Sequence, residues 1–322
     1  MIVLLSVFCL LLLLELLYFR IADRFNIIDK PNQRSSHKSV TLRGGGIIFL
    51  LGVWIYYIVY GFEYPWFLLG LTLIAGISFI DDIHSIPNRY RIVVHFAAML
   101  LMFYQWGIFN SAMWWWIVPA WIVCTGIINA YNFMDGINGI TGGYSLAVLL
   151  PLALLNYDMG FVDQNLINVV ILSLLVFCIF NFRTKAKCFA GDVGAVGVAF
   201  IILFILGCLI VKSGQLWYLV FLAVYGVDSV LTIVHRLILR ENIFEAHRKH
   251  AYQIMANELK VPHVVVSGIY MFLQLLISVG AIYLPINPWI YFCAVIVLLC
   301  LVYILFKMKY YHLHEEYLKS KA

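Results

Sequence analysis

Apolar residues run along this chain in blocks of about 16 to 21 with few polar breaks, at residues 2–19, 44–61, 65–80, 91–107, 113–129, 141–156, 164–182, 193–211, 216–234, 264–284 and 288–306. A helix needs about 20 such residues to cross a ~30 Å hydrocarbon core, so the pattern predicts eleven spans. Barrel strands would alternate apolar and polar residues, and these blocks do not. Lipid offers no water to satisfy backbone groups, which leaves helices. The expected fold class is all-α, a polytopic membrane helical bundle of about eleven transmembrane helices. The first block has no basic residue ahead of it and no small-x-small site after it, so it reads as a retained span rather than a signal peptide.

Composition agrees: 64% of residues are hydrophobic and 11% charged, with a mean hydropathy of +0.96, where a soluble domain is about a quarter charged. The seven cysteines include no C-x-x-C pair and lie mostly within apolar blocks. They read as small hydrophobes, not as a disulfide or zinc framework.

A net charge of +5 would suit nucleic acid on a soluble protein, but its distribution has another reading. If residues 20–43 are cytoplasmic, every second connection and the C-terminus are too, and the N-terminus is outside. The cytoplasmic segments then hold 20 of the 21 Lys and Arg, leaving only Lys212, as the positive-inside rule requires. Trp66, Trp106, Trp114, Trp115, Trp116, Trp217 and Trp289 fall near the opposite ends of the spans, where an aromatic belt belongs. The outer connections at 61–64, 213–215 and 285–287 are short, so the working face is cytoplasmic. No repeat or soluble insertion breaks the chain, and residues 1–322 read as a single integral membrane domain in a lipid bilayer, with no nucleic-acid partner.

Four inner segments carry chemistry in apolar surroundings. Asp81 and Asp82 are adjacent acids that repel one another; they form a solvated helix end or are compensated by a metal or a cation. Asn129, Asn132 and Asp135 recur every three residues, which can place them on one helical face. Polar groups there are costly in a membrane unless they meet a ligand or one another. Asp192 either caps the eighth helix or supplies one of the few protein oxygens that Mg²⁺ takes beside substrate phosphates. The run His247-Arg248-Lys249-His250 is either a basic loop against lipid headgroups or a diphosphate site, with Arg forks and His N–H donors. Together these segments describe phosphoryl transfer.

In order along the chain, these residues resemble the polyprenyl-phosphate N-acetylhexosamine-1-phosphate transferases of glycosyltransferase family 4. That superfamily includes bacterial UDP-GlcNAc:undecaprenyl-phosphate transferases and the muramoyl-pentapeptide translocase. The resemblance spans about 31–252 and rests on Ser36-His37-Lys38-x-x-Thr41-x-Arg43-Gly44-Gly45-Gly46, Asp81-Asp82, the segment 129–139, Phe189-x-Gly191-Asp192-x-Gly194 and His247-Arg248-Lys249-His250. It implies Mg²⁺, with Mn²⁺ as a substitute, on Asp192 with Asn132 as second ligand. It implies Phe189 stacked on uracil, Lys38 or Asn138 at the nucleotide, and Asp81 and Asp82 beside the lipid phosphate. Asp135 joins the catalytic acids, Asn129 joins the substrate contacts, and His247, Arg248, Lys249 and His250 hold the diphosphate and sugar. Asn138 stands where muramoyl enzymes carry a second Asp, and the basic run is not a triple histidine. Both departures turn the expected substrate toward a simpler UDP-HexNAc.

The implied reaction moves HexNAc-1-phosphate from the UDP-sugar to undecaprenyl phosphate and releases UMP at the cytoplasmic face of the bacterial inner membrane. Direct displacement is preferred over a covalent phosphoryl-Asp intermediate, and Asp81 or Asp82 acts either as a base or by positioning. The reaction would open a surface glycan pathway of O-antigen, capsule or wall polymer, and the resemblance allows a homodimer. An aromatic prenyltransferase would need an acid at Ser85. A transporter or flippase of lipid-linked sugars would place ionisable groups near the midplane and repeat its halves; only Glu15 and Asp228 lie that deep. Asp228 is expected to pair with His235 and Arg236 two turns on, while Glu15 has no reading beyond its closeness to the inner boundary.

Overall fold

The structure is a computed structural model that describes residues 2–29, 40–110, 114–243, 245 and 247–319. Its helices are α1 (Ile2–Arg24), α2 (Ile47–Tyr60), α3 (Pro65–Ile83), α4 (Asn88–Gln105), α5 (Ile117–Met134), α6 (Ile140–Met159), α7 (Gln164–Asn181), α8 (Gly191–Ser213), α9 (Ala223–Ile238), α10 (Ala251–Asn257), α11 (His263–Tyr283) and α12 (Pro288–Lys319). Two short strands, β1 (Ile28–Asp29) and β2 (Thr41–Leu42), pair antiparallel between α1 and α2. The chain is a polytopic helical membrane protein. Each predicted apolar block meets a helix, although Leu216–Leu222 at the head of the 216–234 block forms a 3-10 turn ahead of α9. Among the described residues, nine helices are long and apolar enough to cross a membrane. α2 falls short at 14 residues, and α4 opens with Arg89 and Arg91.

Burial explains the composition of each helix. α8 is apolar on all sides because neighbours cover it from Val193 to Leu209; Phe67 of α3 stacks on its Phe204 with ring centroids 4.0 Å apart. α12 turns Leu298, Leu301, Val302 and Leu305 outward, a face suited to lipid. α12 also differs from its predicted block. It does not end at 306 but runs 32 residues to Lys319, about 48 Å at 1.5 Å per residue.

Polar contacts gather at the two ends of the bundle. At one end Tyr56 Oη donates to Asp163 (2.7 Å), Tyr64 Oη accepts from the Asp163 amide (2.9 Å), and Lys212 donates to the Gly160 carbonyl (2.9 Å). At the other end lie Asp81, Asp82, Asp135 and Asp192. Glu15 sits toward that second end, fully buried in α1, and accepts from Cys188 Sγ at 3.6 Å. Asp228 does not pair with His235 or Arg236. It accepts from Tyr270 Oη (2.6 Å) and the Ala251 amide (3.0 Å), and meets His250 Nδ1 at 3.3 Å. His235 and Arg236 lie at the end of α9, while the 247–250 segment folds back over Asp228.

The segment entering α2 is laced to the one entering α8. The Phe189 amide donates to Leu42 O, Gly45 N to Phe189 O, and Gly46 N to Ala190 O, at 2.8–3.1 Å. This ladder presses Gly46 onto Gly194: a Cβ on Gly46 would stand 2.2 Å from the Gly194 Cα. Backbone on both sides cannot yield as a flexible side chain would. Gly46→Ala should therefore cost at least the ~1–3 kcal/mol typical of overpacking, read as a lower Tm in detergent, and an unchanged Tm would show that the two segments separate freely.

Candidate active site

The acid cluster is built from helix ends. Asp82, in the last turn of α3, accepts from the backbone amides of Asp192 (2.9 Å) and Val193 (3.0 Å). It thereby satisfies N–H groups that the first turn of α8 leaves open. Asp192 is consequently not the cap of α8; it stands inside the first turn, and its carboxylate meets two arginines instead. Gly191 permits the approach, with φ +70° and room where a Cβ would lie 2.5 Å from Asp82 Oδ2.

Two arginines tie the acids together. Arg43 Nε lies 2.7 Å from Asp82 Oδ1 and its Nη2 3.5 Å from Asp192 Oδ1. Arg91 reaches Asp81 Oδ2 at 2.8 Å and Asp192 Oδ2 at 2.9 Å. Tyr18 Oη holds the Arg43 carbonyl at 2.5 Å, and the Ile86 amide donates to Asp81 Oδ1 at 2.7 Å. Arg43 was recognisable only as one letter of the Gly-rich motif and Arg91 only as an inner charge. The signal for Arg91 was its place just past the Pro87 turn that returns the chain from the acid pair.

Asp135 is the C-cap residue of α5, so it lies beyond the helix rather than on one face with Asn129 and Asn132. Thr141 Oγ1 donates to it at 2.6 Å. Burial pushes its carboxyl up to about 7, the Thr141 hydrogen bond pulls it down, and the Asp192 and Asp82 charges push it up further. Asn132 is half-buried and Asn129 exposed. Asn138 is a strut: its side-chain N–H₂ donates to the carbonyls of Arg183 (2.9 Å) and Thr184 (3.1 Å). Phe189 is half-buried beside the Leu42 ladder. Lys38, with Ser36 and His37, lies outside the described residues.

The end of α5 joins the acids to the basic run. Tyr252 Oη donates to the Phe133 carbonyl at 2.8 Å, and the Phe133 ring lies 6.2 Å from His247 and 6.4 Å from His250. His247 Nδ1 and His250 Nε2 are buried without a protein hydrogen-bond partner among the described residues. Burial, the His250 ring and the nearby Arg236 and Lys249 charges lower His247 to about 3, so it meets a ligand as a neutral imidazole. Arg248 and Lys249 are instead ion-paired, with Glu258 and Glu241.

Among the described residues no three or more His, Cys, Asp or Glu side chains form a ready metal cage. The donor set still fits Mg²⁺, which takes one or two carboxylates and completes its shell with water and phosphate. Three carboxylates, Asp81, Asp82 and Asp192, share only two guanidiniums here, and a hard dication would relieve the excess.

The sequence model of glycosyl transferase family 4 matches residues 64–226, just over half of the chain. That stretch contains Asp81, Asp82, Asp135 and Asp192 but neither Arg43 nor the 247–250 run. The chain is 26% identical over 257 residues to the probable undecaprenyl-phosphate N-acetylglucosaminyl 1-phosphate transferase of Bacillus subtilis, covering 72% of this chain and 70% of that protein. It is 23% identical over 299 residues to the undecaprenyl-phosphate alpha-N-acetylglucosaminyl 1-phosphate transferase of Thermotoga maritima, covering 87% and 88%. It is 27% identical over 244 residues to the phospho-N-acetylmuramoyl-pentapeptide-transferase of Thermotoga neapolitana, covering 69% and 78%.

With Asp135 raised to about 7, the folded chain holds a proton that the unfolded chain releases near pH 4, so stability falls as pH rises through that window. Asp135→Asn should raise Tm over wild type at about pH 8 and lose that advantage near pH 4–5. Thermal unfolding in detergent at both pH values checks this; equal shifts at both would show that Asp135 carries no buried charge.

Proposed function

The chain belongs to glycosyl transferase family 4, and from that premise we propose that it transfers HexNAc-1-phosphate from a UDP-sugar to undecaprenyl phosphate, releasing UMP. The observation that carries this is Asp192, held at the head of α8 between the Arg43 and Arg91 forks. Both reactants are anionic, so catalysis is chiefly neutralisation and alignment. Arginine forks suit phosphate oxygens, and an incoming phosphate can take Arg91 from the acids that hold it in the free protein.

A lipid phosphate oxygen forms a bond to the sugar-side phosphorus. The bond from that phosphorus to the bridging oxygen breaks, and the electron pair leaves with UMP. Mg²⁺ bound by Asp192, with Asn132 as second ligand, would stabilise charge on the diphosphate oxygens. A phosphate monoester has its second pKa near 6, so most of the nucleophile is already dianionic. Asp82 has its oxygens occupied by two amides and Arg43, and Asp81 by Arg91 and the Ile86 amide. These ties favour positioning over general base catalysis for both. Asp135, with its carboxyl near neutrality, is better suited to accept a remaining proton. His247 Nδ1 and His250 Nε2, buried without a protein partner among the described residues, are the ring nitrogens offered to the donor diphosphate.

With the spans placed as the sequence predicts, 20 of the 21 basic residues fall on one side, which supports a cytoplasmic site in the bacterial inner membrane.

Purified protein should form UMP from one member of a UDP-HexNAc panel only when undecaprenyl phosphate and a divalent cation are both present, and chelation should stop it. Asp192→Asn should reduce the rate at least about 100-fold. Turnover that survives chelation, or is normal in the variant, would remove the metal assignment. Asn variants of Asp81 and Asp82 should lose rate by the same factor at low and high pH; a loss confined to low pH would show that the acid acts as a base.

A further inference from the structure

The basic run has two sides. His247 and His250 turn toward Phe133 at the end of α5, with ring centroids 5.0 Å apart. Arg248 and Lys249 turn the other way, onto the part of α12 that outruns a ~30 Å membrane core. Arg248 Nη2 meets Glu258 Oε1 at 2.9 Å, and the guanidinium lies 4.3 Å from the centre of the Tyr317 ring. The same Glu258 oxygen meets His314 Nδ1 at 2.9 Å, and both of these side chains are buried, 3% and 2% exposed. Farther back along α12, Lys307 Nζ donates to the Lys249 carbonyl.

α10 carries this anchoring to the site. His250 is its N-cap, held reciprocally by Gln253, and Glu258 is its C-cap. Seven helical residues span only about 10 Å, so a shift of Glu258 is handed directly to His250. A solvated basic loop would not need a buried carboxylate shared between an arginine and a histidine.

We propose that Glu258, clamped between Arg248 and His314 of the α12 extension, is a positioning residue that aims His247 and His250 at the donor diphosphate. The inference rests on the transfer reaction proposed above. It divides the basic run into two histidines that face substrate and two cations that hold the loop to α12.

The test measures steady-state UMP release against each substrate separately, and amide hydrogen exchange over residues 241–250, in full-length wild type, Glu258→Ala, Glu258→Gln and His314→Ala. Glu258→Ala and His314→Ala should raise KM for the UDP-sugar about tenfold or more, leave KM for undecaprenyl phosphate within about twofold, and speed exchange over 241–250. Glu258→Gln keeps an acceptor oxygen and should recover part of the donor KM. A drop in kcat with both KM values unchanged would indicate fewer folded molecules and overturn the proposal. So would unchanged exchange in Glu258→Ala, or faster exchange without a change in donor KM. A wild type that releases no UMP from any UDP-sugar would refute the transfer reaction and with it the positioning role; the exchange data would then report only whether α12 anchors the loop.

Discussion

A single carboxylate organises the reactive end of this protein. Asp82 leaves α3 and closes the open amides at the start of α8, where the helix dipole favours negative charge. Because the cap comes from another helix, Asp192 does not have to supply it. The same Asp82 oxygen receives Arg43, which fixes the Gly-rich segment entering α2. One buried group thus sets two helices and one loop relative to each other. The backbone ladder between the segments entering α2 and α8 holds the same two elements together and brings Gly46 onto Gly194.

The site is placed where a membrane helix bundle can tolerate it. Within lipid, polar groups must find partners inside the protein. At helix ends, amides and carboxylates can be left available for phosphate and metal. The acid half uses this directly: its carboxylates come from the ends of α3, α5 and α8, and its arginines from the starts of α2 and α4. The basic half lacks such support because it is a loop, and it relies on Asp228 beneath and α12 behind. Asp228 meets His250, Ala251 and Tyr270 at once, which accounts for an acid so deep in α9.

Much of the plan was legible along the chain. The apolar blocks gave the helices, since lipid leaves the backbone no other solution, and the polar segments between them gave the acids and the basic run in order. Glu15 and Asp228 resisted this reading because their partners, Cys188 and the 250–252 segment, are remote in sequence. Asp135 was placed on a helical face by its spacing, but α5 ends one residue earlier.

What the sequence determined by itself was the class of structure and the inventory of reactive groups, because both depend on local composition: a block of apolar residues long enough for lipid, a charge that must stay out of it. What only the tertiary structure decided was the assignment of those groups. Whether Asp82 or Asp192 caps α8, which carboxylates Arg43 and Arg91 join, and which side of the 247–250 run faces the acids all depend on distances between helices far apart in the chain. A carboxylate has the same letter whether it closes a helix or waits for a cation. Packing alone brings it the amide, the arginine or the open space that separates the two.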